Sequence, residues 1–331
     1  MANKKSYKFK VVITEAEYKS FEIEKEELNE VGAELIVGQC KTEDEIIQIA
    51  KDADGLIVQC ASITRRVIES LKKCKVIARY GIGVDSIDVE AATEHGICVV
   101  NVPEYCLDEV SDHTIALALA CVRKVVMLDN AVKKGIWDFK IAEPIFRLKN
   151  RNLGLVGFGN IARIVSCKAQ AFGMGVMAYD PYISSSVMTQ NNVKKVNLED
   201  LLKEADIISL HLPLTKNTKY MFTEKEFKLM KDTAFLVNTG RGPLIKEEDL
   251  YKALSERWIA GAGLDVAEKE PIDQNSDLLK LENVIITPHV AFYSEESLKD
   301  LQRSAAKGIA QVLKGEIPTS LVNKEVLEKI N

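Results

Sequence analysis

From Phe9 onward, short apolar runs alternate with charged, helix-like segments. Phe9–Ile13, Glu34–Val37, Leu56–Gln59, Val76–Arg79 and Cys98–Val100 read as strands. The segments near Glu24–Val31, Glu43–Lys51, Arg65–Lys73 and Asp88–His95 read as the helices between them. Alternating β and α of this length predicts a parallel sheet with helices on both faces. Val102-Pro103-Glu104 then interrupts the pattern, and the restricted backbone around Pro103 marks a hinge. Beyond it the spacing predicts one long helix over roughly Asp108–Lys134, followed by an irregular segment, Trp137–Leu148, around Pro144.

A second series of apolar runs follows: Leu153–Val156, Val176–Tyr179, Ile207–His211, Ala234–Asn238, Gly261–Leu264 and Val284–Thr287. Six strands complete a doubly wound sheet. The remaining Ser294–Leu313 is an amphipathic helix with Gly315 just past its end, and the pattern leaves open whether it returns to the first sheet. The class expected is α/β, with two Rossmann/flavodoxin-like parallel-sheet domains. No sequence repeat or low-complexity segment is visible.

The second series opens on a dinucleotide fingerprint. Leu153–Val156 leads into Gly157-Phe158-Gly159-Asn160-Ile161-Ala162, a helix runs through Lys168 to Gly173, and the next strand ends on Asp180. Gly157 permits a tight turn off the strand, and Gly159 lets a pyrophosphate approach the backbone and the helix N-terminus. Ala162 is small enough for helix and strand to pack closely. Asp180 is placed to accept from the ribose hydroxyls and to repel a 2′-phosphate, and Pro181-Tyr182-Ile183 offers no Arg to hold one. NAD is therefore expected over NADP. The plain alternative is a tight βα turn with a surface acid.

Composition narrows the class further. A net charge of −5, with 47% hydrophobic and 28% charged residues, makes no electrostatic case for nucleic acid or an anionic membrane surface. Lys4, Lys5, Lys8 and Lys10 could open a targeting segment, but the apolar run Val11–Ile13 is followed at once by Glu15 and Glu17, so no signal-peptide pattern is expected. The longest apolar stretch, Ile115–Val122, is too short to span a bilayer. Seven cysteines without a CxxC pair read as buried thiols in a reducing, cytoplasmic compartment, and no metal is expected.

Beside a nicotinamide, a group titrating near neutrality is needed to move the proton of the substrate oxygen. Among the four histidines, His95 lies on a charged helix end, and His113 lies inside a helix beside Asp112, with a structural or hinge role. His211 precedes Leu212-Pro213 at a strand end and borders the cofactor crevice. His289, after Thr287-Pro288 at the end of the last strand, is the proton donor of choice. Its carboxylate partner lies in Asp265-Val266-Ala267-Glu268-Lys269-Glu270, where spacing does not choose among Asp265, Glu268 and Glu270. Arg241, in Asn238-Thr239-Gly240-Arg241-Gly242, offers a planar fork to a substrate carboxylate and carbonyl. In Arg79-Tyr80-Gly81-Ile82-Gly83-Val84-Asp85, a glycine loop at another strand end can turn N–H groups toward an anion.

The stretches RYGIGVD, GLVGFGNIA, AYDPY, LHLPLTKNT, LVNTGRGPLI, LDVAEKEP and ITPHV, in this order, resemble the D-isomer-specific 2-hydroxyacid dehydrogenases over nearly the whole chain. The resemblance implies that Arg241 binds and polarises the substrate, that Glu270 is paired with His289, and that His289 donates the proton in reduction. Gly81, Ile82 and Gly83 would hold the substrate carboxylate, with Arg79 nearby. Gly157, Phe158, Gly159, Asn160, Ile161, Asp180, Leu212, Pro213, Thr218, Thr239, Gly240 and Asp265 would border NAD.

The resemblance also implies a discontinuous fold, with a substrate domain of residues 1–103 plus 292–331, an NAD-binding domain of 104–291 and a cleft between them. Family members pair as homodimers through the nucleotide domain. PHVAFYSEESL, with Phe292 placed to narrow the site, is similar to the C-terminal-binding-protein subgroup, which opens the alternative of an NAD(H)-sensing corepressor-like scaffold. D-3-phosphoglycerate is a further candidate substrate. Formate dehydrogenases carry Gln where this chain has Glu270, and no added C-terminal regulatory domain is expected.

Overall fold

The computed structural model describes residues 7–330, so Lys4 and Lys5 lie outside the described residues. The chain forms two compact units, Met1–Cys106 with Ser294–Asn331, and Leu107–Tyr293. The family resemblance implied divisions near Pro103 and Ala291.

In the first unit, β1 (Phe9–Ile13), β2 (Ala33–Val37), β3 (Gly55–Val58), β4 (Val76–Arg79) and β5 (Cys98–Val100) form a sheet of order β2-β1-β3-β4-β5. All pairings are parallel. Apart from Lys10, Glu34 and Arg79 these strands are apolar, because successive side chains enter two different cores. Val11, Ile13, Ile57, Val76 and Ala78 face one layer, which also contains Leu28 and Leu301, Ala305, Ile309 and Leu313 of the helix Glu295–Lys314. Val12, Leu56, Val58 and Ile77 face the other layer, against Ile46, Val67, Ile68 and Ala91. The tail helix is thus part of this unit. Ser294 caps its start, accepting from the Ser297 N–H at 2.8 Å, and Gly315, at φ +85°, ends it.

In the second unit, β6 (Asn152–Val156), β7 (Gly175–Tyr179), β8 (Lys194–Lys195), β9 (Ile207–Leu210), β10 (Phe235–Asn238), β11 (Gly261–Leu264) and β12 (Val284–Ile286) form a parallel sheet of order β12-β11-β10-β9-β6-β7-β8. The six strands anticipated are joined by a seventh, β8, whose two lysines are exposed. It is a short charged edge strand with no apolar pattern, which is how open sheets blunt their rims.

The single helix expected over Asp108–Lys134 is instead two, Leu107–Val122 and Val125–Lys133. Lys124, at φ +54°, separates them without any Gly or Pro to announce it. Sixteen residues already reach about 24 Å at 1.5 Å each, longer than the strands they cover, so a continued helix would run past the sheet. The second piece leaves Val125, Val126 and Val132 exposed. Among the described residues no helix is long and apolar enough to cross a membrane.

Candidate active site

The residues singled out in the second unit lie at or just beyond the carboxyl ends of its strands. At β6, Gly157 has φ +93°, and a Cβ there would stand 2.4 Å from the His211 carbonyl oxygen, so turn and close approach both demand glycine. Gly159 differs. It has an ordinary backbone conformation, and a Cβ there would meet no atom within 4 Å. It precedes the helix Asn160–Ala171 as an N-cap with no side-chain hydrogen bond. An open approach to an uncapped helix start fits a pyrophosphate. Ala162 is fully buried, as the close packing of helix on strand requires. Phe158 is also fully buried in the core, so only its backbone can border a cofactor.

Asp180, at the end of β7, accepts from the Phe158 N–H at 2.9 Å and from the Tyr182 and Ile183 N–H groups at 2.8 and 3.2 Å. The acid therefore ties its own turn to the glycine turn and keeps acceptor capacity for hydroxyls. Asn160 is exposed, and Ile161 half-buried. After β9, Thr218 Oγ1 donates to the Pro213 carbonyl at 2.7 Å and fixes the loop that follows Leu212. His211 lies against Ser209, and burial pushes its pKa down to about 4, which keeps it neutral.

The loop after β10 is shaped by Asn238, a residue the motif reading did not single out. Fully buried, it accepts from the Gly240 N–H at 3.0 Å and donates to the Arg241 carbonyl at 2.9 Å. Its place before Thr-Gly-Arg was the available signal, since Asn builds such turns. Thr239 pairs with Thr114 at 2.8 Å. A Cβ on Gly242 would lie 1.7 Å from the Ala267 carbonyl oxygen, so this glycine lets the β10 and β11 loops touch.

The structure separates the carboxylates that spacing left undivided. Glu268 accepts from Tyr220 Oη at 2.6 Å and from the Glu247 N–H at 2.9 Å. Asp265, almost fully buried, accepts from Thr287 Oγ1 at 2.5 Å and from the Val290 and Ala291 N–H groups at 3.0 and 2.8 Å. Glu270 is the one against the ring, 2.7 Å from His289 Nδ1. Burial alone would raise the Glu270 pKa. The hydrogen bond and charge of His289, the Ala267 N–H and the Arg241 charge outweigh it, and the carboxyl lies below its ordinary value. An ionised Glu270 makes Nδ1 of His289 a donor.

His289 itself has φ +52°, a conformation that costs a non-glycine residue on the order of 1–3 kcal/mol. Its N–H donates to the carbonyls of Asp265 and Thr287 at 2.7 and 3.0 Å. Phe292 meets the imidazole edge-on, with ring centres 6.4 Å apart.

The remaining candidates belong to the first unit. Gly81, at φ +142°, lies under the Arg79 guanidinium, where a Cβ would be 1.3 Å from Nη1. The Gly81 and Ile82 carbonyls accept from the Val102 N–H at 2.9 Å and Asn101 Nδ2 at 2.6 Å, which fixes the loop that continues into Gly83.

A glycine turn, an uncapped helix start and an acid ending the next strand of a parallel sheet define a dinucleotide-binding domain of the oxidoreductase kind. Residues 115–291 match the family model for the NAD-binding domain of D-isomer-specific 2-hydroxyacid dehydrogenases. A glyoxylate reductase of Korarchaeum cryptofilum is 42% identical over 86% of this chain and 86% of that protein. A D-3-phosphoglycerate dehydrogenase of Methanocaldococcus jannaschii is 44% identical over 89% of this chain but only 56% of its own length. The crystal structure of a D-lactate dehydrogenase from Aquifex aeolicus, complexed with NAD and lactic acid, superposes with a TM-score of 0.82 at 29% identity, covering 96% of this chain and 98% of that one. The chain belongs to the D-isomer-specific 2-hydroxyacid dehydrogenase family and is an NAD-dependent oxidoreductase.

Proposed function

We propose that the protein interconverts a small 2-keto acid and a D-2-hydroxy acid, with His289 as acid and base, Glu270 as its partner and Arg241 as the substrate-binding cation. The observation that carries this reading is the Glu270–His289 pair, 2.7 Å apart at the ends of adjacent loops, with the Arg241 charge acting on the same carboxylate.

NAD would be held by the backbone of Gly157–Ile161, by Asp180 at the ribose, and along Leu212, Pro213, Thr218, Thr239, Gly240 and Asp265. When bound, it supplies or accepts the hydride. Glu270 orients the imidazole through Nδ1, leaving Nε2 to give the substrate oxygen its proton in reduction and to take it back in oxidation. Arg241 polarises the carbonyl and holds the carboxylate through its fork. The Gly81-Ile82-Gly83 loop, with Arg79, is assigned to the substrate carboxylate, and Phe292 limits the side chain admitted. The named relatives favour small acids, glyoxylate first. The 44% identity to a phosphoglycerate dehydrogenase keeps a phosphorylated acid as the second choice. A corepressor-like scaffold remains the contrasting reading.

A homodimer belongs to the same proposal. Trp137 is 89% and Phe139 73% exposed, and Val125, Val126, Val132, Ile136 and Phe146 add apolar surface in the same stretch, an area that invites a second copy. A reducing, cytoplasmic setting suits seven cysteines outside any disulfide, of which Cys60 and Cys167 are exposed rather than buried as expected, because they lie on a loop and an outer helix face.

NADH oxidation followed with glyoxylate, pyruvate, hydroxypyruvate and its 3-phosphate tests the reading. Turnover abolished by His289→Ala supports it. No turnover of any acid by the wild type refutes it, and a partner protein retained only with NADH would then favour the scaffold.

A further inference from the structure

His113 lies at no strand end and in no glycine loop, yet it reaches the loop that carries His289. Its Nε2 is 2.9 Å from Thr287 Oγ1 and 3.5 Å from Asp265 Oδ1. The Thr287 hydroxyl has a single proton, and the 2.5 Å contact with the Asp265 carboxylate uses it. The contact between hydroxyl and imidazole must then run from N–H to oxygen, which puts a proton on Nε2 of His113. The neighbouring Asp112 takes no part, since it pairs with Lys168 at 2.6 Å.

Asp265 and Thr287 in turn hold the backbone on both sides of His289. The Asp265 carboxylate takes the N–H groups of Val290 and Ala291, and the carbonyls of Asp265 and Thr287 take the N–H of His289. A left-handed backbone at a non-glycine residue persists only where its surroundings over-determine it. His113, anchored in the helix Leu107–Val122, is the outermost member of that set.

We infer that His113 is a positioning residue: its Nε2–H fixes Thr287 and Asp265, and through them the backbone conformation that keeps the His289 imidazole on Glu270. The catalytic consequence rests on the role proposed for His289, but the holding of the ring can be measured without turnover.

The test compares His113→Ala, His113→Gln and Thr287→Val in the full-length protein. Gln restores an N–H of similar reach, while Val keeps the threonine shape without the hydroxyl. Two quantities are read: kcat with whichever 2-keto acid the wild type reduces, beside NADH affinity, and the Nδ1–H proton NMR resonance of His289, assigned by its loss in His289→Asn. His113→Ala and Thr287→Val should lower kcat on the order of 10- to 100-fold. NADH affinity should stay within about threefold, which separates positioning from general damage. Both variants should broaden or lose the Nδ1–H resonance, and His113→Gln should recover signal and rate.

Retention of the resonance in His113→Ala and Thr287→Val overturns the inference, as does a Gln variant that behaves like Ala. If His113→Ala does not fold, Thr287→Val decides. If the wild type reduces no 2-keto acid, the proposed function fails, and the resonance alone still judges whether His113 holds His289.

Discussion

Two glycines of the nucleotide turn should fail in opposite ways when replaced by alanine. At Gly157 an L-residue must adopt φ +93°, in the left-handed half of backbone space. That costs about 1–2 kcal/mol before any contact is considered. Its Cβ would also stand 2.4 Å from the His211 carbonyl oxygen and 3.1 Å from Leu212 Cδ2. The first distance is roughly an ångström short of ordinary contact, and the obstacle is backbone, which cannot rotate away. Overpacking of this kind costs about 1–3 kcal/mol. Gly157→Ala should therefore lose roughly 2–5 kcal/mol of folding stability.

Gly159→Ala meets no protein atom within 4 Å and keeps an ordinary φ of −78°. Alanine is a poorer N-cap than glycine but lowers the entropy of the unfolded chain, so stability should change by no more than about 1 kcal/mol. Its Cβ would project where the proposed function puts the pyrophosphate, and NADH affinity should fall by at least about tenfold, or 1.4 kcal/mol. Urea unfolding followed by circular dichroism, paired with NADH titration by fluorescence, reads both effects. A Gly159→Ala protein that binds NADH as the wild type does would refute the placement of the pyrophosphate at this helix start. An unshifted unfolding midpoint in Gly157→Ala would refute the steric argument.

Glu270→Gln keeps a hydrogen-bonding side chain beside His289 but removes its charge, and should lower kcat/KM for keto-acid reduction about 100-fold with NADH affinity unchanged; equal loss in both would point to collapse of the loop. Asp180→Ala should weaken NADH and narrow its advantage over NADPH, measured as a ratio of affinities, because the charge that repels a 2′-phosphate is gone. His211 titrates near 4 when folded but near 6.5 when unfolded, so the unfolded chain binds more protons between those values and stability falls on acidification through that window. Roughly 2 kcal/mol should be lost between about pH 6.5 and 5, and His211→Gln should flatten that part of the stability curve. Trp137→Asp with Phe139→Asp should shift the native mass toward a monomer in light scattering, while an unchanged dimer would move the interface elsewhere.

The relation of chain to structure differs between elements. β1, β4, β5 and β11 lie where their apolar runs placed them, because the part of a strand buried on both faces must be apolar. β8 was illegible: two exposed lysines carry no periodic signal, and the pairing depends on where β7 happens to run. The break at Lys124 was equally silent, since it answers to the width of a sheet built from residues further along the chain.

The order of residues along the chain was enough to place the glycine turn, the acid of the next strand and the histidine at the end of the last one, because each is a local chemical requirement with a fixed place in the βα order. Only the tertiary structure decided which carboxylate meets His289. Asp265, Glu268 and Glu270 lie within six residues, and neighbouring loops claim the first two through Thr287, Val290 and Ala291, and through Tyr220 and Glu247. The same holds for His113, whose partner stands 174 residues away and is brought to it by packing alone.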